Sequence, residues 1–329
     1  MKGKHHIVIE TSRLKYEFDV RRNITIIQGD SATGKTTLID LLQQYADNRM
    51  DSGILLQSDV PCIVFGGSQA NWQIVLQSIE NSIIFFDENH LFTQSQAFAE
   101  TVRGSSNYYV LITRRALPEL PYSVNEIYGI RTSGKYHFPH KIYHEFYPIY
   151  QSNEQFDSGD VVLAVEDSGA GFQFFSAAAD KTKCISAGGN ANLYQLALQL
   201  YKTSRVVVIA DGAAFGAFVE KIVSLARVSK KIMLYMPESF EWLILKSGAV
   251  EIAGISDILN EPEKYIESAS YFSWERFFSD LLERETAADP IRHYQKNDLA
   301  PYYLGIRNKE KILRTLPGAL RAAITGDRV

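Results

Sequence analysis

The chain has 329 residues, 46% hydrophobic and 22% charged, with a formal net charge of −4, which is ordinary for a globular protein and long enough for two domains and a tail. The charge argues against a broadly basic nucleic-acid-coating surface, though not against a local basic groove. No apolar run approaches the ~20 residues of a membrane span, and residues 1–10 alternate like a strand rather than a signal peptide, so a cytoplasmic protein without membrane contact is expected.

Apolar runs at 7–10, 14–20 and 24–27 open the chain as strands. The last leads into Gly29-Asp30-Ser31-Ala32-Thr33-Gly34-Lys35-Thr36-Thr37, and a helical stretch at 37–45 follows. This is the full G-x-x-x-x-G-K-[ST] pattern in its strand–loop–helix context, and its residues are expected to cradle the phosphates of ATP. Gly29 and Gly34 let the backbone N–H groups turn inward at the positive end of the helix. Lys35 reaches the β- and γ-phosphates as a point charge, and the Thr36 hydroxyl is suited to Mg²⁺.

Runs at 53–57 and 61–65 and a helix over 70–79 precede Ile83-Ile84-Phe85-Phe86, which ends in Asp87-Glu88. A buried parallel strand would deliver Asp87 to the Mg²⁺ water shell and leave Glu88 to polarise the attacking water. Such a glutamate suits hydrolysis better than transfer to a bound acceptor, which disfavours a small-molecule kinase. A run at 109–112 ends in Thr113-Arg114-Arg115. Either arginine can offset transition-state charge, in cis or across a dimer, and a solvated basic turn is the open alternative. Residues 126–150 are expected to complete the sheet. His137, His140 and His144 lie among them, but Pro139 and the surrounding aromatics favour extended chain over a helical metal site.

Polar, acidic residues 151–160 read as a linker. Beyond them strands at 161–165, 184–186, 205–210 and 231–236 alternate with helices at 170–179, 192–201 and 215–227. That alternation implies a parallel sheet with its functional edge at the strand C-termini. Those ends carry Glu166-Asp167, Gly188-Gly189 and Asp211-Gly212-Ala213, and a helix starting at Pro237 would put Glu238 and Glu241 on one face. From 257 onward the chain turns helical, with one helix expected over 265–285 and shorter ones at 309–316 and 319–324. Its aromatics, interleaved with Arg276, Arg284, Arg292, Lys296 and Arg307, read first as core and second as a nucleic-acid groove. Cys62 and Cys184, inside apolar runs, read as reduced core residues.

The phosphate loop and Asp87-Glu88, separated by only about 50 residues, resemble a minimal P-loop ATPase of the ABC/AAA-like kind. The stretch Phe65-Gly66-Gly67-Ser68-Gln69 is not in the Ser-Gly-Gly-Gln order of a cassette signature. Glu166, Gly188-Gly189 and Asp211 after successive strands resemble a Toprim domain, and an ATPase followed by such a domain resembles the OLD-family nucleases and related defence proteins. The resemblance implies an α/β fold: a P-loop NTPase domain (1–150), a linker (151–160), a Toprim-like parallel α/β domain (161–256) and a helical C-terminal region (257–329). It implies ATP and Mg²⁺ as cofactors and DNA or RNA as a partner, and P-loop ATPases of this kind often complete their site by self-association. Lys35, Glu88, Glu166 and Asp211 would be catalytic, and Thr36, Asp87, Glu166 and Asp211 would bind metal. The family pattern expects Asp-x-Asp after the third strand, and Ala213 stands where the second acid would be. Asp167, Glu238 and Glu241 are the nearby substitutes. A nuclease and an ATP-gated regulatory or scaffold protein with a degenerate Toprim-like unit therefore both stay open.

Overall fold

The computed structural model describes residues 1–29, 33–133, 141–150, 161–179 and 182–326. The expected linker, 151–160, and His137 and His140 lie outside the described residues. The fold is mixed α/β, in two compact units: Met1–Tyr150 with Glu261–Ser273, and Gln151–Asn260 with Trp274–Val329. The expected helical C-terminal region is thus shared between the two. Among the described residues no helix is long and apolar enough to cross a membrane.

The first unit runs β1 (His5–Glu10), β2 (Leu14–Val20), β3 (Ile24–Ile27), α1 (Lys35–Asn48), β4 (Leu55–Gln57), β5 (Cys62–Val64), α2 (Trp72–Gln77), β6 (Ile83–Phe86), α3 (Gln96–Val102), β7 (Tyr108–Ile112), β8 (Ile127–Ser133) and β9 (Ile142–Pro148). Every residue of β3, β6 and β7 is buried, as unbroken apolar runs require when both sheet faces are covered. In β2 the pattern alternates instead, with Tyr16, Phe18 and Val20 inward and Glu17 and Asp19 outward. Among the described residues one nine-stranded sheet has the order β4-β1-β2-β9-β8-β3-β7-β6-β5. Five neighbours, β8-β3-β7-β6-β5, are parallel. Strand β7 lies between β3 and β6, pairing Ile112 with Ile27 and Leu111 with Phe86. Gln28-Gly29, Thr113-Arg114 and Asp87-Glu88 therefore leave one sheet edge side by side.

An aromatic cluster of Phe65, Trp72, Phe86, Phe92 and Phe98 packs behind that edge, with Trp72 and Phe92 stacked at 4.8 Å. The returning segment 261–273 is tied to this unit through its backbone. Gly3 N donates to Glu263 O at 2.7 Å, and the Asn23 amide donates to the carbonyls of Ser268 and Tyr271 at 3.1 Å each.

The second unit contains β10 (Val161–Val165), α4 (Ala170–Ala178), β11 (Lys183–Ser186), α5 (Asn190–Leu200), β12 (Arg205–Ile209), α6 (Gly216–Val228), β13 (Ile232–Tyr235), α7 (Phe240–Ser247), α8 (Ile255–Asn260), α9 (Trp274–Thr286), α10 (Pro301–Leu304), α11 (Ile306–Leu313) and α12 (Gly318–Thr325). Among the described residues its four strands are all parallel, in the order β11-β10-β12-β13. The strand order reverses at β10, so the C-terminal ends of β10 and β12 flank a topological switch point, where open α/β sheets bind ligands.

Three expectations need correction. The helix carrying Glu241 starts at Phe240 rather than Pro237, because Ser239 takes the N-cap position and accepts from Trp242 N at 3.2 Å. Glu238 thus lies outside the helix. The long helix after 265 begins only at Trp274, since 261–273 belong to the other unit. Cys62 and Cys184 are free, as expected, but half-buried: Cys62 packs against the edge of the first unit's core and is not enclosed by it.

Candidate functional site

The first site begins at Gly34, the N-cap of α1, whose φ is 98°. A Cβ there would lie 2.8 Å from Tyr16 Oη, so both the backbone conformation and the space demand glycine. Gly29 has φ 135°, also in the region open mainly to glycine. The Gly34 carbonyl accepts from Tyr16 Oη at 2.9 Å and from Leu38 N at 3.0 Å. Lys35 is buried, and its ammonium folds back along the loop to donate to Gly29 O at 2.7 Å and Thr33 Oγ1 at 3.2 Å. Asp30, Ser31 and Ala32 lie outside the described residues.

At the end of β6, Asp87 is held from three directions. Its carboxylate accepts from Asn89 N at 3.0 Å and Asn89 Nδ2 at 2.9 Å, and lies 2.7 Å from His90 Nδ1. Glu88 pairs with Arg114 Nε at 2.9 Å. Arg114, at the end of the intervening strand β7, is therefore the arginine turned toward the Asp-Glu pair. Thr33 to Thr37, Asp87, Glu88, Asn89 and Arg114 line one cavity of about 730 Å³. Leu14, Ile39, Asp40, Ile112 and His144 line it too. His144 stacks on Tyr16 at 4.5 Å and 15°, and burial lowers its pKa, while burial pushes the Tyr16 hydroxyl up to about 12.

Mg²⁺ held with a nucleotide needs only one or two protein oxygens besides phosphate and water. The Thr36 hydroxyl and the Asp87 carboxylate in this cavity are of the right kind and number. Sequence reasoning missed Tyr16, Asn89 and His90. The last two had a signal: polar residues directly behind a strand-end carboxylate are placed to orient it.

The second site gathers at the switch point of the second unit. Asp211 N donates to Glu166 Oε2 at 3.0 Å. The Asn190 amide, oriented with its nitrogen toward Glu166, donates to both carboxylate oxygens at 2.9 and 3.1 Å. Asp211 Oδ1 in turn accepts from Phe240 N at 3.1 Å. Asp167 accepts from Gly171 N at 3.2 Å and Phe172 N at 2.9 Å, so it serves the start of α4. Gly212 is fixed by crowding, because a Cβ there would lie 2.7 Å from Met236 O and 2.8 Å from Pro237 O. Ala213 is buried and brings no ligand atom.

Glu241, on α7, lies close enough to add to the upward push on Asp211. It is 1% exposed, and Tyr294 Oη donates to its Oε1 at 2.7 Å, while its buried Oε2 has no hydrogen bond among the described residues. Glu275 and Lys296 form an ion pair beside these carboxylates. Burial raises Glu166 to about 7, with Glu275 and Asp167 adding to the effect against the Asp211 N–H and Lys296. Asp211 is pushed well above the usual carboxylate range by burial and then by Glu275, Glu166 and Glu241. Burial works against the charge on Lys296, yet Glu275 and Glu241 raise it above its ordinary value.

Among the described residues no group of three or more His, Cys, Asp or Glu side chains is arranged to hold a metal ion. Glu166 and Asp211 are adjacent, but they do not form a ready three-carboxylate Mg²⁺ site. Glu275 and Tyr294 were missed by sequence reasoning, and Lys296 was placed only in a basic groove. No short spacing ties these residues to the strand ends. Comparison with protein-family models, with curated proteins and with solved structures finds no match for this chain.

Proposed function

We propose that the first unit binds Mg-ATP and hydrolyses it. The observation that carries this reading is the single cavity joining Lys35 and Thr36 with Asp87, Glu88 and Arg114 from the ends of parallel strands. In that reading Lys35 and the loop from Gly29 to Thr37 bind phosphates, and Thr36 and Asp87 hold Mg²⁺, which would neutralise phosphate charge. Glu88 orients the attacking water, and Arg114 both holds Glu88 and supplies positive charge at the cavity wall. ATP turnover in the presence of Mg²⁺ is the test. Lys35→Ala is expected to abolish nucleotide binding, and Glu88→Gln to cut turnover at least 100-fold with binding kept. Full turnover in Glu88→Gln would remove its assigned role.

The second unit we read as Toprim-like and directed at nucleic acid, because Glu166 and Asp211 meet at the switch point of a parallel sheet. A specific observation favours the form that binds without cutting: buried Ala213 stands where the family pattern has an acid, and among the described residues no three-ligand group is assembled. Incubation of DNA and RNA with Mg²⁺ or Mn²⁺ separates the two. Cleavage that Glu166→Ala abolishes supports a nuclease, and intact substrate bound by the protein supports the regulatory reading.

A further inference from the structure

We propose that the N-terminal edge of the second unit's sheet, where Lys183, Lys202, Arg205, Arg227, Lys230 and Lys231 gather, binds the phosphate backbone of duplex nucleic acid. The proposal rests on the reading that this unit meets nucleic acid. It assigns the contact to the edge opposite the carboxylate cluster.

Strand register brings these residues together. The strands run the same way, so their first residues meet at one edge. Lys183 opens β11 opposite Val162, and Arg205 opens β12 opposite Val161. Lys231 precedes β13, and its carbonyl accepts from Val206 N at 2.8 Å. Three strand spacings of about 4.8 Å set Lys183 and Lys231 roughly 14 Å apart. That is about the rise of four base pairs. Lys202 follows α5, Arg227 lies in the last turn of α6, and Lys230 leads into β13. Arg205 is half-buried and the other five cations are exposed.

The charge at this edge is not spent on the protein itself. No Asp or Glu occurs in 182–184, 201–205 or 227–231. The tail cations are engaged, Arg284 with Asp280, Arg292 with Asp289, Lys296 with Glu275 and Arg314 with Glu310. Among the described residues no such pair holds Lys183, Lys202, Arg227, Lys230 or Lys231. Cations do favour helix C-termini, and the crossover helices α4, α5 and α6 end toward this edge. At about half a negative charge per helix end, the six cations exceed that demand by about four charges. Arg205 and Asp211 lie at opposite edges, roughly 20 Å apart at about 3.3 Å per residue. That is more than two Debye lengths of about 8 Å, so the carboxylates do not cancel the basic edge.

The surface chemistry selects the polyanion. Within these segments Val228 is the one large apolar side chain exposed, too little for insertion among lipids. Their one aromatic, Tyr201, is half-buried, so they offer no exposed stacking platform for a single strand. Thr203, Ser204 and Ser229 stand between the cations, and cations with hydroxyls suit phosphate oxygens of a duplex irrespective of base sequence.

Fluorescence anisotropy of the full chain with a labelled DNA duplex of about 20 base pairs, with EDTA and over a range of salt, tests this. The wild type is expected to bind without Mg²⁺, more tightly than it binds the single strand. Lys230→Ala combined with Lys231→Ala should weaken binding about tenfold or more and lower the salt slope by about two, with the fold kept by circular dichroism. Lys230→Arg combined with Lys231→Arg should keep both affinity and slope. Duplex binding unchanged in the double alanine variant overturns the proposal and leaves the nucleic-acid reading standing. Duplex binding that EDTA abolishes assigns the contact to the carboxylate edge and likewise overturns it. Binding to phosphatidylserine vesicles in place of duplex would make the edge a membrane surface and overturn it too. Failure to bind either duplex or single strand overturns the nucleic-acid reading of the second unit together with the proposal.

Discussion

Gly34 joins three constraints at one residue: a φ of 98°, a carbonyl shared by Tyr16 and Leu38, and 2.8 Å of room where a Cβ would go. Gly34→Ala therefore costs strain at the backbone and displaces the Tyr16 hydroxyl, about 1–3 kcal/mol for the strain alone. The expected outcome is at least a tenfold loss of ATP affinity with the rest of the first unit folded, read by calorimetry and circular dichroism. Unchanged affinity would mean that the loop tolerates another conformation at this position. Gly212 is a different case, crowded by the Met236 and Pro237 carbonyls, so Gly212→Ala should lower the thermal midpoint without a special φ being involved. Both glycines stand inside strand-end motifs and invite attention in the sequence. Only the packed structure tells the strained glycine from the crowded one.

Helix α7 brings Glu241 to the second cluster, and its start is set by one side chain. Ser239 is fully buried and its hydroxyl accepts from Trp242 N. Ser239→Ala leaves that N–H without its cap and should destabilise by about 1 kcal/mol, whereas Ser239→Gly should cost only a few tenths. Chemical denaturation of both variants checks the order, and a Gly variant less stable than the Ala one would point to packing rather than capping. The strands were legible in the sequence because fully apolar runs such as 83–86 and 161–165 admit few other readings. The boundary of α7 was not. Pro237 looks like a first helical residue, and it took the buried hydroxyl two positions on to set the true start.

At the scale of the molecule, the second unit carries five acidic side chains and a lysine in mutual electrostatic reach, namely Glu166, Asp167, Asp211, Glu241, Glu275 and Lys296. Glu166, near 4.5 in the open chain, is raised to about 7 in the fold, so the folded protein binds the extra proton between those values. Its contribution to stability is then fully present below about pH 4.5 and is lost as the pH rises through 7. Replacing Glu166 by Gln removes this dependence. The variant should gain several degrees of thermal midpoint over the wild type at pH 8 and little at pH 5. The same difference at both pH values would exclude the raised carboxyl as the cause.

The sequence by itself determined the parts of this protein that depend on near neighbours. It marked the Gly29–Thr37 motif with its two glycines and lysine, the Asp87-Glu88 strand end, and the alternation that makes the second sheet parallel. Those features follow from local backbone geometry and from burial patterns a few residues long. The tertiary structure decided what depends on distant chain meeting: Arg114 beside Glu88, Tyr16 and His144 against Gly34, and Glu275, Tyr294 and Lys296 around Asp211. Residues separated by dozens of positions become neighbours only through strand order and helix packing, and no spacing rule in one sequence encodes that.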